Sequence, residues 1–481
     1  MSDTDQLHKA SAQPLFLLDD HAIHGLFHLD LEFGSIEKVE ATLHRHAKQA
    51  QAMRAADLPK RLQLSWQQPD KEADLWVPFS GKGMALDDFY PYARQILGTD
   101  GMGNHAKDAK DAKEDTEDTE DKVCVSLRLS KEGRRILSKS QDEKLQLKSR
   151  LWGLYLQKAA RERCGRDEID LQFCNARLFL FRTGVAILDL SWHYIATGDG
   201  LPALVVLEGN YFLSHANQRA EKDDTHPNGN QRDRDDVTTP PPPPPLTALR
   251  LIEVAKALLP QTWAQKAGLQ PHRLLMYSLA RVQGRADEET LLELGIRFSH
   301  RQTSDYRPKS RLLESSVLQP FPYLCHVLAP EGAASVIATE EDAASGFFKD
   351  FIPGTGANTY VPLFVASLHN HLWLLAQTEW LPATRSQKDK RHEIHDLEDV
   401  YERTVEFRRY FYFPMISQIS LHNAFYERSQ EVFKIAQRQR FLEQTTHVSG
   451  NSAALLPTRH RWRTGPSAAA GRRSAASTGA G

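Results

Sequence analysis

At 481 residues the chain is long enough for two to four domains and a substantial core. With 41% hydrophobic and 25% charged residues and a formal charge of −2, it carries no global field to recruit nucleic acid or an anionic membrane surface, so such a partner would need a local patch. Four cysteines, Cys124, Cys164, Cys174 and Cys325, form no CxxC pair, which argues against a zinc knuckle or a disulfide framework and fits a reducing cytoplasm.

The first residues, "MSDTDQLHKASAQP", lack the basic start and apolar core of a secretory signal, so a cytoplasmic chain is expected. Next comes "DDHAIHGLFHLD", where Asp19, Asp20, His21, His24, His28 and Asp30 concentrate metal-capable groups. Alternation in "GLFHLDLEF" predicts a strand, and even spacing puts His24 and His28 on one side of it. Asp20, His21, His24 and His28 are therefore candidate ligands for a divalent cation, as in a metal-dependent enzyme of unrecognised family. The absence of an HExxH signature leaves a chance surface cluster as the alternative. A helix is expected over "SIEKVEATLHRHAKQAQAM", with Ser35 as N-cap and Ile36, Val39, Leu43 and Ala47 on one face.

Residues 104–122, built of Lys-Asp-Ala and Glu-Asp-Thr units, have too little apolar surface to offset ordering and read as a solvated insertion. "VCVSLRL" predicts a strand and "QLKSRLWGLYLQKAARER" a helix. The apolar run "ARLFLFRTGVAILDLSWHY" is broken at Arg182, Thr183 and Gly184. That break predicts a hairpin between the strands "LQFCNARLFLF" and "GVAILDLSW", with Gly184 at positive φ. Phe179 and Phe181 would share one face, opposite Leu178 and Leu180, and both faces would need helices over them. "LPALVVLEGNYFLSHANQ" supplies one such helix. A second insertion, 218–245, ends in six prolines, Pro240–Pro245, which favour polyproline II and read as a surface loop or as a ligand for a Pro-rich-ligand-binding domain. The latter fits a cytoplasmic interaction or scaffold protein.

Beyond it, "LTALRLIEVAKALL" predicts a helix and "PYLCHVL" and "ASVIAT" predict strands. "YVPLFVASLHNHLWLLAQTEW" holds too many polar groups for a membrane span. Acidic Asp396, Glu398 and Asp399 in "KRHEIHDLED" suit the first turn of a helix and need no metal at His392 or His395. That helix, carrying Leu397, Val400, Tyr401, Thr404, Phe407 and Phe411 on one face, should stop near Pro414. Leu421, Phe425, Arg428, Val432, Ile435, Gln439 and Leu442 then follow steps of four and three. Of these, Leu421, Phe425, Val432, Ile435 and Leu442 could form a homo-oligomer seam or pack on the chain's own core. After about residue 447 an Ala, Gly, Ser and Arg mixture predicts a disordered tail. "SLHN" at Ser367–Asn370 and Ser420–Asn423 is no internal repeat and is read as structural hydrogen bonding. No GxSxG elbow or cysteine nucleophile context is present, and no catalytic residue is assigned.

The fold class expected is α/β: a mixed sheet covered by helices over 1–382, a helical stalk-like region over 394–446, and the tail over 447–481. The stretch "EFRRYFYFPMISQISLHNAFYERSQEVFKIAQRQRFLEQ", with this order of elements, resembles the end of the soluble part of CorA-like divalent-cation transporter proteins. The resemblance implies a soluble sensing or regulatory portion of a membrane protein, a divalent cation such as magnesium as the physiological ion, and oligomers formed through the C-terminal helices. The family's Gly-Met-Asn motif and two membrane helices are missing from this sequence, and "DGMGNH" at 100–105 does not supply the motif. The chain as written is therefore not transport-competent. Its last residues have the composition that a shifted reading frame in GC-rich coding sequence would produce.

Overall fold

Alternating side chains on long strands organise the molecule around one sheet. The computed structural model describes residues 16–29, 76–79, 86–98, 123–130, 152–155, 168–195, 200–214, 248–259, 261–266, 269, 274–302, 315–338, 346–385 and 390–454. Its strands are β1 (Leu17–Leu29), β2 (Trp76–Pro78), β3 (Cys124–Leu129), β4 (Trp152–Tyr155), β5 (Glu168–Phe181) and β6 (Ala186–Tyr194), followed by β7 (Leu201–Pro202), β8 (Leu275–Val282), β9 (Val317–Phe321), β10 (Leu324–Ala329) and β11 (Gly332–Ala338). They join in the order β2-β3-β5-β6-β1-β8-β11-β10-β9, with β4 also on β5 and β7 also on β1. The β8–β11 pair is parallel and the other pairs are antiparallel, so the sheet is mixed as expected.

The break at Arg182–Gly184 is a hairpin turn. The Gly184 N–H donates to Phe181 O at 2.9 Å, and Gly184 has φ +90°. Leu178 and Leu180 lie in the core on one side of the sheet, and Phe179 and Phe181 in the core on the other. The helices are α1 (Pro91–Ile96), α2 (Ala203–Ser214), α3 (Ala248–Ala257), α4 (Gln261–Lys266), α5 (Glu288–His300) and α6 (Gly346–Asp350), then α7 (Val361–Arg385), α8 (Lys390–Phe411), α9 (Ser420–Val432) and α10 (Ile435–Ala454). Helices α2 to α5 cover the Leu178 side. On the Phe179 side lie α1, α6, a π-helical segment Phe351–Tyr360, and α7 to α10.

Two expectations need correction. The helix foreseen across 146–163 is interrupted by β4, which pairs antiparallel with β5 from Trp152↔Leu171 to Tyr155↔Glu168. Gly153 is a poor helix former and Trp152 and Tyr155 favour strands. In addition, β3 reaches only as far as Arg177 on β5, which leaves the first half of that long strand an open edge for β4 to close. The second correction is to the continuous C-terminal seam. It is cut at Phe433 and Lys434, where Lys434 takes φ +55° and ends α9 with a left-handed residue. Phe425, Ile435 and Leu442 are fully buried in the chain's own core, and Leu421 and Val432 pack half-buried against it. Helix α10 also runs to Ala454, past the composition change at 447, where Ala453 and Ala454 are strong helix formers.

Strand β8 and helix α5 were not foreseen. Asp287 caps α5 by accepting the Thr290 N–H at 2.8 Å. The helix expected after Ser35, residues 104–122 and 218–245 with Pro240–Pro245, the side chains of His392 and His395, and everything after 454 lie outside the described residues. No described helix is long and apolar enough to cross a membrane. Both "SLHN" copies make structural bonds: His369 Nε2 meets Thr183 Oγ1 at 2.7 Å, tying the hairpin tip to α7, and Asn423 Oδ1 accepts the Ile416 and Ser417 N–H groups.

Candidate functional site

One side of the sheet is apolar at one end and polar at the other. On β6, Leu188, Leu190, Trp192 and Tyr194 point to the α2–α5 side. The residues between them, Asp189, Ser191 and His193, therefore point to the side covered by the C-terminal helices. Strand β1 sends Asp20 and His24 the same way, in line with Leu26, which belongs to that core.

A bulge on β5 adds to this set. Phe173 pairs with Trp192 and Asn175 with Ser191, so Cys174 is an extra residue without an opposite number. Before it Leu171 and Phe173 face the α2–α5 core, and after it Ala176 and Leu178 do. The parity flips across the bulge, so Cys174 and Asn175, though consecutive, both face the polar end along with Arg177. Bulges commonly re-aim side chains beside functional sites.

These residues line a cavity of about 370 Å³ whose other wall is the π-helical segment, through Ile352, Pro353 and Ala357. Arg177 is buried and pins that wall: its guanidinium donates to Ala357 O at 3.0 Å and to Asn358 Oδ1, and it stacks over the Phe79 ring at 4.5 Å. Burial lowers the Arg177 pKa, and Asp189 opposes that. His24 Nδ1 lies 2.9 and 3.1 Å from the two oxygens of Asp189, and both side chains are buried. Its Nε2 has no partner among the described residues. Cys174 Sγ sits 2.8 Å from His193 Nδ1.

Electrostatics separate binding from ready-made nucleophilic chemistry. Cys174 has an exposed edge, yet burial of its sulfur, with Asp20 nearby, pushes the thiol up to about 12. Burial lowers His193, with Asp20 opposing. The pair is thus an S–H···N bond between neutral partners, and not the thiolate–imidazolium pair of an activated cysteine. Burial raises the Asp20 carboxyl, with Arg281 pulling the other way.

The four candidate metal ligands are not gathered. Parity puts His24 and His28 on one side, as expected, but four residues of strand separate their Cα atoms by about 13 Å, too far for one ion. His21 is held apart from His24 by its own partners, its ring stacking on Tyr194 and its Nε2 accepting the Tyr194 N–H at 2.8 Å. Among the described residues no group of three or more His, Cys, Asp or Glu side chains could hold a metal ion. Of the four, Asp20, His21 and His24 border the cavity. Asp189, Ser191 and His193 escaped the sequence reading although their signal was present, as polar residues at every second position of an otherwise apolar strand. The Cys174 bulge left no signal in the sequence. Comparison with protein-family models, with curated proteins and with solved structures finds no match to the chain.

Proposed function

We propose that the chain is the sensing portion of a CorA-like membrane protein, in which a small molecule in the cavity biases the arrangement of the C-terminal helices. One observation carries this reading: the cavity wall is continuous with the output helix. The π-helical segment Phe351–Tyr360 passes without a break into α7. The buried first half of α7 then meets the later helices, with Gln430 Nε2 donating to Ser367 Oγ at 3.0 Å, Asn370 Nδ2 to Phe411 O at 3.2 Å, and Phe364 packing on Phe433 at 5.4 Å. Rearrangement of the wall is therefore felt by α8 and α9 through packed side chains. π-Helical turns are rare and recur at functional sites. A ligand shifts such an equilibrium only by its difference in affinity between two wall arrangements.

The neutral Cys174–His193 pair favours binding over catalysis, and the lack of a three-ligand metal group among the described residues favours an organic ligand over the cation. Asn358→Ala frees Arg177 from one wall contact, so hydrogen exchange of the full chain tests the coupling without a ligand. Faster exchange in 361–374 and 420–433 is expected, and a change confined to 351–360 would remove the coupling. Sedimentation addresses the membrane-protein setting: a homo-oligomer supports it, and a monomer leaves only a coupled ligand-binding domain.

A further inference from the structure

The cavity beneath Phe351–Tyr360 contains two buried acceptor atoms that no described group satisfies, His24 Nε2 and Asn175 Oδ1. The tautomer of His24 follows from its partner. The Asp189 oxygens lie 2.9 and 3.1 Å from Nδ1, so Nδ1 is the donor, and the tautomer that donates there presents a lone pair at Nε2. His24 is 4% exposed, so bulk water does not solvate that lone pair. Asn175 reaches the same side only because of the Cys174 bulge, and its main-chain carbonyl is already taken by Ser191 Oγ at 3.1 Å.

Several donors around these atoms are already engaged. Arg177 donates to Ala357 O and Asn358 Oδ1, Ser191 to the Asn175 carbonyl, and the Cys174 thiol is paired with His193. The two unsatisfied acceptors remain, with the Asp20 carboxyl at the cavity border. We propose that the ligand is a small organic molecule rich in N–H or O–H donors, a primary amine or a polyol, which donates to His24 Nε2 and Asn175 Oδ1. Carboxylates and phosphates, which carry acceptors alone, would leave both atoms unsatisfied. The inference rests on the sensing reading for the use of the cavity, while the ligand class rests on the unsatisfied atoms alone.

Titration calorimetry of the full chain with 1,4-diaminobutane, methylammonium, myo-inositol, acetate and inorganic phosphate tests it. An amine or the polyol should bind, and the two classes are told apart by which arm gives heat. Asn175→Leu should weaken that binding at least tenfold, whereas Asn175→Asp, which keeps an acceptor at the same place, should retain it and shows that the fold survives substitution there. Binding of phosphate or acetate in place of the donors, binding unchanged by Asn175→Leu, or no heat from any probe would overturn the inference, the last because water alone then fills the cavity. Phosphate binding with the Asn358→Ala exchange response intact removes the donor class and leaves the sensing reading. Amine binding without that response does the reverse.

Discussion

Asp189 holds His24 Nδ1 between its two carboxylate oxygens, at 2.9 and 3.1 Å, across 165 residues of sequence. The contact joins neighbouring strands in the middle of the sheet, where neither group reaches solvent. Asp189→Leu leaves a buried imidazole N–H without an acceptor and should cost about 1–3 kcal/mol of stability. Asp189→Asn keeps an acceptor oxygen and should cost less. Urea unfolding midpoints of the two variants order these effects, and a Leu variant as stable as the parent would show that the pair holds nothing together.

Two glycines separate backbone strain from lack of space. Gly184, at φ +90°, has nothing within 4 Å of an added Cβ, so Gly184→Ala is charged only for the left-handed backbone, about 1–2 kcal/mol. Gly332 opens β11 beside Met276 of β8, and a Cβ there would lie 2.4 Å from Met276 O and 3.1 Å from Ser299 O. Backbone carbonyls cannot swing aside, so the strands must part, and Gly332→Ala should cost about 3 kcal/mol. Thermal unfolding of both variants checks the order, and the reverse order would place the hairpin turn under more constraint than the sheet centre.

The hairpin and both of its faces were legible because Leu178, Phe179, Leu180 and Phe181 alternate around a single Thr-Gly step, a local signal. The strand β8 was not, because a strand buried on both faces loses its alternation and "LMYSLARV" is too short to tell from a helix. Trp152–Tyr155 went astray for a related reason: what fixes β4 is the open edge of β5, a distant partner. For the site, the histidines at 21, 24 and 28 drew attention by clustering along the chain, whereas the residues that meet around the cavity come from β1, β5, β6 and the π-helical segment. Asp189 became informative once its strand neighbours were known, and the Cys174 bulge is a property of pairing register that one strand's sequence does not contain.

Cys174 provides a chemical test of the site. Burial first, and Asp20 second, push its thiol up to about 12, so little thiolate exists near pH 8. Iodoacetamide should therefore alkylate it roughly two to three orders of magnitude more slowly than an ordinary cysteine with a pKa near 8.5. Asp20→Asn removes the like charge and should speed the reaction, while Cys124 and Cys325, both buried, should react more slowly still. Peptide mapping after timed labelling gives the three rates. Labelling of Cys174 at the ordinary rate would mean an ionised thiol, and would move the cavity from binding toward nucleophilic chemistry.

Buried histidines set the acid limit of the fold. His21, His326 and His369 are each driven down to about 3 by burial. All three are neutral in the folded and the unfolded chain well above pH 6.5, so they contribute no pH dependence there. As pH falls below 6.5 the unfolded chain takes up protons that the folded chain refuses, and stability drops until pH approaches 3. Each histidine should contribute a slope of up to about 1.4 kcal/mol per pH unit, and three together about 4 kcal/mol per unit. Set against a typical total of about 5–15 kcal/mol, that should unfold the protein between about pH 4 and 5. Urea midpoints measured from pH 8 to 5 should be flat at first and then fall steeply. His326→Leu should reduce the acid slope by about one proton, since Ser335 keeps its 2.7 Å bond to Tyr277 when the imidazole is gone. A midpoint constant from pH 7 to 5 would require these rings to be protonated in the folded state against their burial, which at His369, stacked on Phe181 at 4.0 Å and 4.5 Å from the Phe411 ring, outweighs the opposing hydrogen bond to Asn370 Oδ1.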